Sequence, residues 1–179
     1  IRVPAMALER ARMELGHMGE LAEAMLAQLQ SALKARDLGG LSQQHDQVVA
    51  LREAVLAYLQ QVGRAELSDH ESDEHARLVA ATGEIENMSA AVSRELLPLA
   101  RALKDADITP SPETAALLER LFQAIQASAH QALRALVMSD QRAAQAVVAS
   151  REMILEHTSE LNRQQAARLS QDDPDRLLK

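Results

Sequence analysis

The feature that most constrains this chain is the spacing of its apolar residues, clearest from Leu78 to Leu99, LVAATGEIENMSAAVSRELLPL. Leu78, Ile85, Met88, Val92, Leu96 and Leu99 follow one another at steps of three, four or seven, which sets them along one side of an α-helix. The stretch reads as the central helix of a bundle. Glu84 and Glu86 interrupt it near its midpoint, beside Gly83 and Ser89, both small enough to admit a neighbouring backbone.

Composition narrows the fold class. With aromatic residues at 1% and hydrophobic residues at 47%, the interior must be built from Leu, Ala, Val, Ile and Met, which mostly favour helices. An all-β fold would draw on β-branched and aromatic residues, and an α/β fold would need buried strand runs that this chain lacks. The expectation is all-α. A chain of 179 residues is the size of one domain, or of two small halves sharing a core. Its formal charge of -7 and scattered arginines argue against nucleic acid as a partner. Without cysteine there is no disulfide framework, thiolate metal site or Cys nucleophile, as fits a reducing compartment. No apolar run approaches the roughly 20 residues that cross a bilayer, and the N-terminus carries no signal pattern, so the chain as given is expected to be soluble.

In chain order, Pro4 opens a helix expected from about Ala5 to Arg36, with Met6, Met13, Met18, Leu21, Met25, Leu29 and Leu33 as its buried stripe. Gly39-Gly40 stops it, one residue taking a positive φ, and Ser42 is the expected cap of a second helix through Val48, Leu51, Val55, Tyr58 and Leu59 to Gly63. Ser68 and Glu71 match a capping box. The third helix they open runs past Pro98, which should kink it, to near Asp105. Thr109-Pro110-Ser111-Pro112 is the clearest break, with Ser111 suited to an N-cap and Pro112 to the first helical position. Leu118, Leu121, Ile125, Leu133 and Leu136 line the fourth helix. After the short turn and cap at Ser139-Asp140, Val147, Ile154 and Leu161 mark the fifth, which ends before Asp172-Asp173-Pro174. Short connections between long helices predict an antiparallel up-and-down bundle. Asp175 to Lys179 reads as the start of a further element, and with Ile1 in place of a methionine both ends read as cuts from a longer protein.

Several side chains could carry chemistry. Glu14 and His17 form one Glu-x-x-His pair, the unit that di-iron bundles use twice, and no second copy occurs. His70, Glu71, Glu74 and His75 are denser, with two imidazole-carboxylate pairs at i, i+4 that could face a zinc or nickel ion. The same four residues also describe a solvated first turn, where acids favour the helix N-terminus, and that reading is preferred. Neither a Gly-x-Ser-x-Gly elbow nor a phosphate-cradling glycine loop is present, and plain helices offer few strained turns to hold a nucleophile. An enzyme is not expected. The methionines of the first helix read as adaptable core, or as a docking surface, and Tyr58 as core with its hydroxyl at the edge.

The order of these motifs resembles a known family. PAMALERARMELGHMGELAEAML, then HDQVVALREAVLAYLQQV, then LSDHESDEHARLVAATGEIENMSAAVSREL look like the PhoU-type domain at the C-terminal, cytoplasmic end of bacterial type II sodium/phosphate cotransporters. The resemblance lies in Asp46, Leu51, Tyr58 and Leu59 of the second helix, the start at Leu67-Ser68, and Ile85-Glu86 followed by Arg94 and Leu96. It implies a PhoU-like bundle of two three-helix units: 1–108 as the first, and 109–179 as an incomplete second one packed on it, its last helix missing. Five long helices would remain, with an apolar groove between the fourth and fifth unless self-association fills it. PhoU-type proteins carry paired acids that in some members bind metal clusters. Here Asp46 and Glu86 match the first acid of each pair, while the later acid falls on Val49 and Ala90. One carboxylate per site cannot compensate a multinuclear cluster, so no cofactor is expected.

The resemblance therefore implies a non-catalytic regulatory domain of a sodium-dependent phosphate transporter. It would lie at the cytoplasmic face of the bacterial inner membrane and contact the transporter's membrane part or a cytoplasmic signalling protein, with a homodimer as a further option. The Met-rich first helix is the expected contact face. The alternatives are a metal- or phosphate-sensing bundle using Asp46, Glu84 and Glu86, with His70 and His75 as outside candidates, and a stand-alone helical adaptor.

Overall fold

The computed structural model of the chain describes residues 3–35, 38 and 40–169, without the side chains of Ala35, Arg168 and Leu169. Gly39, Asp172-Asp173-Pro174 and Asp175 to Lys179, to which the sequence assigned a stop, a helix end and a new element, lie outside the described residues. The elements are α1 (Pro4–Ala35), α2 (Leu41–Val62), α3 (Asp69–Ala90), a π-helical segment (Ala91–Leu96), α4 (Leu97–Asp105), α5 (Pro112–Met138) and α6 (Gln141–Leu169). Among the described residues there is no strand. The backbone stays helical from α3 through the π segment into α4, so the chain folds as five long rods.

Local chemistry starts and stops most of them. Ser68 Oγ accepts from the Glu71 amide, and Glu71 returns a carboxylate oxygen to the Ser68 amide at 2.9 Å, the reciprocal box expected at the head of α3. Ser111 accepts from the Thr114 amide, with Pro112 as the first residue of α5. α5 stops at Ser139, whose φ of 52° is left-handed, and Asp140 at once caps α6 by accepting from the amides of Arg142 and Ala143. α2 departs from expectation. It begins at Leu41, behind Gly40 at φ 85°, and Ser42 lies inside the helix instead of capping it. Leu41 is fully buried, so drawing it into the first turn gains apolar cover that a start at Ser42 would forgo.

The first three rods each bury a stripe at helical steps of three and four, while α5 and α6 are mostly half-buried along theirs. In α1 it is Leu8, Ala11, Leu15, Met18, Ala22, Met25, Leu29 and Ala32. Met18, Met25 and Leu29 were expected there, but Met6, Met13 and Leu33 lie off the stripe and are exposed. The stripe continues through alanines instead. The central rod is α1, which packs against α2, α3 and α5, and not the Leu78–Leu99 helix. Against α5 the approach is very close: a Cβ built on Gly19 would come within 2.1 Å of the Leu133 side chain, and one on Gly16 within 3.1 Å of Val137. Farther along the same contact the pairing turns polar, with Gln30 donating to Glu119 at 2.9 Å and Lys34 2.7 Å from the same carboxylate. The Lys34 hydrogen bond holds the Glu119 carboxyl below its ordinary range. The numbering of these contacts runs in opposite senses, so α5 lies antiparallel to α1.

Pro98 leaves its mark as a change of pitch. Proline lacks an N–H and its ring collides with the carbonyl four residues back. The ladder widens just before it, and the Leu97 amide bonds to Val92 five residues back. The wider turn shifts the buried stripe by one residue, so that Leu97 and Ala100 are buried while the expected Leu96 and Leu99 face outward. α6 packs along α5 through Ala143, Val147, Ser150, Ile154 and Leu161, with Ser150 donating to Ser128 at 3.0 Å.

Candidate functional site

The stripes of α2 and α3 are interrupted by polar residues that meet. Along α2 the core positions are Leu41, His45, Val48, Arg52, Val55, Leu59 and Val62, all buried except the half-buried Arg52. Along α3 and into the π segment they are Leu78, Thr82, Ile85, Ser89 and Val92, apolar side chains alternating with small hydroxyls. Thr82 donates to the Leu78 carbonyl of its own helix at 2.7 Å. Ser89 donates to the Glu86 carbonyl at 2.8 Å, so its oxygen accepts from His45 Nδ1, 3.0 Å away. That contact assigns the imidazole proton to Nδ1 and leaves Nε2 facing inward with no hydrogen-bond partner; the ring is 6% exposed. One turn along, the Arg52 guanidinium lies 3.4 Å from Glu86, a close charge contact without an aligned hydrogen bond.

The acidic and imidazole candidates are dispersed around this seam. Glu86 borders it through Arg52. Asp46 is exposed, turned about 100° from its neighbour His45. Glu84 is exposed too, and the space beside Gly83 is open, so no neighbouring backbone approaches there. His70 is exposed in the first turn of α3. The i, i+4 partnerships around it are replaced by others. Glu71 turns back to Ser68, whose amide and hydroxyl lower its pKa. Glu74 pairs with Arg12 of α1 and lies 3.9 Å from Arg77. His75 Nε2 donates to the Leu59 carbonyl at 2.9 Å, joining the Gly63 amide on that oxygen at the end of α2. Gly63 keeps an ordinary φ of -66°, and its lack of a side chain makes room for the ring, since a Cβ there would sit 3.1 Å from His75 Nε2. His75 thus fastens α3 to the end of α2. Glu14 and His17 form an exposed contact at 3.6 Å.

Among the described residues no three His, Asp or Glu side chains come together as a metal ion would need. None of the described helices is long and apolar enough to cross a membrane. A shallow groove of about 310 Å³ runs between α1 and α2, lined by Arg10, Glu14, Leu51, Val55 and Tyr58, the last half-buried at its edge. His45 and Arg52 belong to no motif in the sequence. Their signal was present in the steps of α2, where both stand at positions that its period reserves for core. No family model matches the chain, and neither a curated protein nor a solved structure resembles it closely enough to mark a relative.

Proposed function

We propose that the chain is a non-catalytic regulatory domain that acts by contact with another protein, of the PhoU-like kind carried by a sodium-dependent phosphate transporter at the inner face of the bacterial membrane. In this reading 1–108 is a three-helix unit and 109–179 an incomplete second one. The observation that supports contact as the mode of action is the outer flank of α1. Met6 and Met13 are 72% and 57% exposed, two turns apart on one side of the helix. Arg10 stands between them and lines the groove that also holds Leu51 and Tyr58. Flexible thioethers beside an open groove suit an adaptable docking surface. Because α1 packs against α2, α3 and α5, a partner that displaces it acts on most of the bundle together. Regulation then requires that the domain bind one transporter conformation better than the other, since equal contact with both shifts nothing. The transporter itself enters through the sequence resemblance.

The test is sodium-dependent phosphate uptake by cells expressing the full gene product with Met6→Glu and Met13→Glu, alongside thermal unfolding of the 1–179 chain. Both methionines are exposed, so unfolding should move by no more than about 0.5 kcal/mol per site. The response of uptake to phosphate supply should be lost. A response identical to that of the unaltered protein would overturn the transport reading.

A further inference from the structure

The outward side of α6 carries a self-complementary pattern that the functional reading above does not use. Val148 and Leu155 are 76% and 55% exposed, two turns apart. They border a trough of about 410 Å³ with Ser128, Val147, Arg151 and Ile154. At 3.6 residues per turn, Ala144, Val148, Arg151, Glu152, Leu155 and Ser159 fall within an arc of roughly 100° beside the α5 seam. The order of this stripe is nearly palindromic: small, apolar, basic, acidic, apolar, small. Arg151 and Glu152 are both exposed, and neither has an ion-pair partner among the described residues.

We propose that this stripe is where a second copy of the chain docks, α6 against α6 in antiparallel order about a two-fold axis passing between Arg151 and Glu152. That axis sets Val148 opposite the partner's Leu155, Arg151 opposite the partner's Glu152, and Ala144 opposite the partner's Ser159. Every contact is made twice, as an isologous interface demands. The central charges fix the direction. In parallel order Arg151 would meet its own copy and Glu152 its own, two like-charge contacts, whereas the antiparallel order converts both into opposite-charge ones. The small residues at the ends of the stripe let the helices come close enough for the valine and leucine to share cover.

Sedimentation equilibrium of the 1–179 chain over a wide concentration range tests the proposal. The unaltered chain should show a reversible monomer–dimer equilibrium. Arg151→Glu alone should weaken it on the order of tenfold, because four carboxylates then crowd the axis. Arg151→Glu with Glu152→Arg should restore it. A chain carrying both Val148→Cys and Leu155→Cys supplies a second readout, since the protein has no cysteine of its own. The two positions lie about 10 Å apart along one helix, too far for a bond within the chain. On oxidation it should give a covalent dimer. A chain that stays monomeric throughout, or a dimer indifferent to the charge exchange and not captured by the cysteines, would overturn the proposal; either result leaves the transport test on Met6 and Met13 unaffected.

Discussion

His45 shows how much one side chain can owe to a single distant partner. Its Nδ1 proton is accepted by Ser89, on a different helix and 44 residues away, and the ring is otherwise enclosed. Ser89→Ala removes that acceptor from a buried donor and should cost about 1–3 kcal/mol in urea unfolding. Adding His45→Leu to the same chain should recover part of the loss, since an apolar pair leaves nothing unsatisfied. Fully additive costs would show that the two do not act as a pair. Three half-buried carboxylates give a pH dependence. Asp140 is held below its ordinary range first by the Ala143 amide and then by Arg134, Glu71 by Ser68, and Glu119 by Lys34. A carboxyl whose folded pKa is depressed contributes stability above its unfolded value, 3.8 for Asp and 4.5 for Glu here, and loses it as pH falls through the lower folded value. Thermal unfolding followed from pH 6 downward should therefore show stability falling below about pH 4.5, and Asp140→Asn should flatten part of that fall. The caps at Ser68, Ser111 and Asp140 were legible in the sequence because donor and acceptor lie within three residues. The role of His45 was not, because the residue that answers it belongs to another rod.

At the scale of the element, the helices were readable and their inward faces only partly so. Bulk was a poor guide in α1, where Met6 and Met13 attracted attention and Ala11, Ala22 and Ala32 hold the true stripe. In the third rod the stripe from Leu78 to Val92 was correct and then slipped by one residue, because a π turn adds a residue without ending the helix. No local pattern marks such a turn except the proline after it. Gly16 and Gly19 carry no motif in the sequence, yet they form the notch that receives α5. A methyl on Gly19 would collide with both terminal methyls of Leu133, at 2.1 and 2.9 Å, and press on its Cγ at 3.1 Å. Gly19→Ala should thus destabilise the chain by about 1–3 kcal/mol by overpacking, despite alanine's better helix propensity. Leu133→Ala in the same chain should relieve the collision, so the double variant should lie closer to the wild type than the two single costs added together. Chemical denaturation of the four proteins checks this.

Across the whole molecule, the period of a helix tells which side is covered but not by how many neighbours, which is why the Leu78–Leu99 rod reads as central in the sequence while α1 holds that place. α1 is enclosed on several sides, while α6 leans on α5. Protection of amide hydrogens in native-state exchange should follow that order, greatest around Leu15 to Leu29 of α1 and least along α6, where opening does not require the core to part. Equal protection in the two helices would contradict the packing described. The contact between α1 and α5 also joins two surfaces that need each other. On the α1 side Gly16, Gly19, Glu23, Gln30 and Lys34 lie along it, and the buried Leu26 falls between Glu23 and Gln30 at the same helical steps. On the other side Phe122, Ile125, Leu133 and Leu136 rest on the core. Severing the connection between α4 and α5 would consequently leave oily side chains wet on both pieces, so that neither keeps dry without the other.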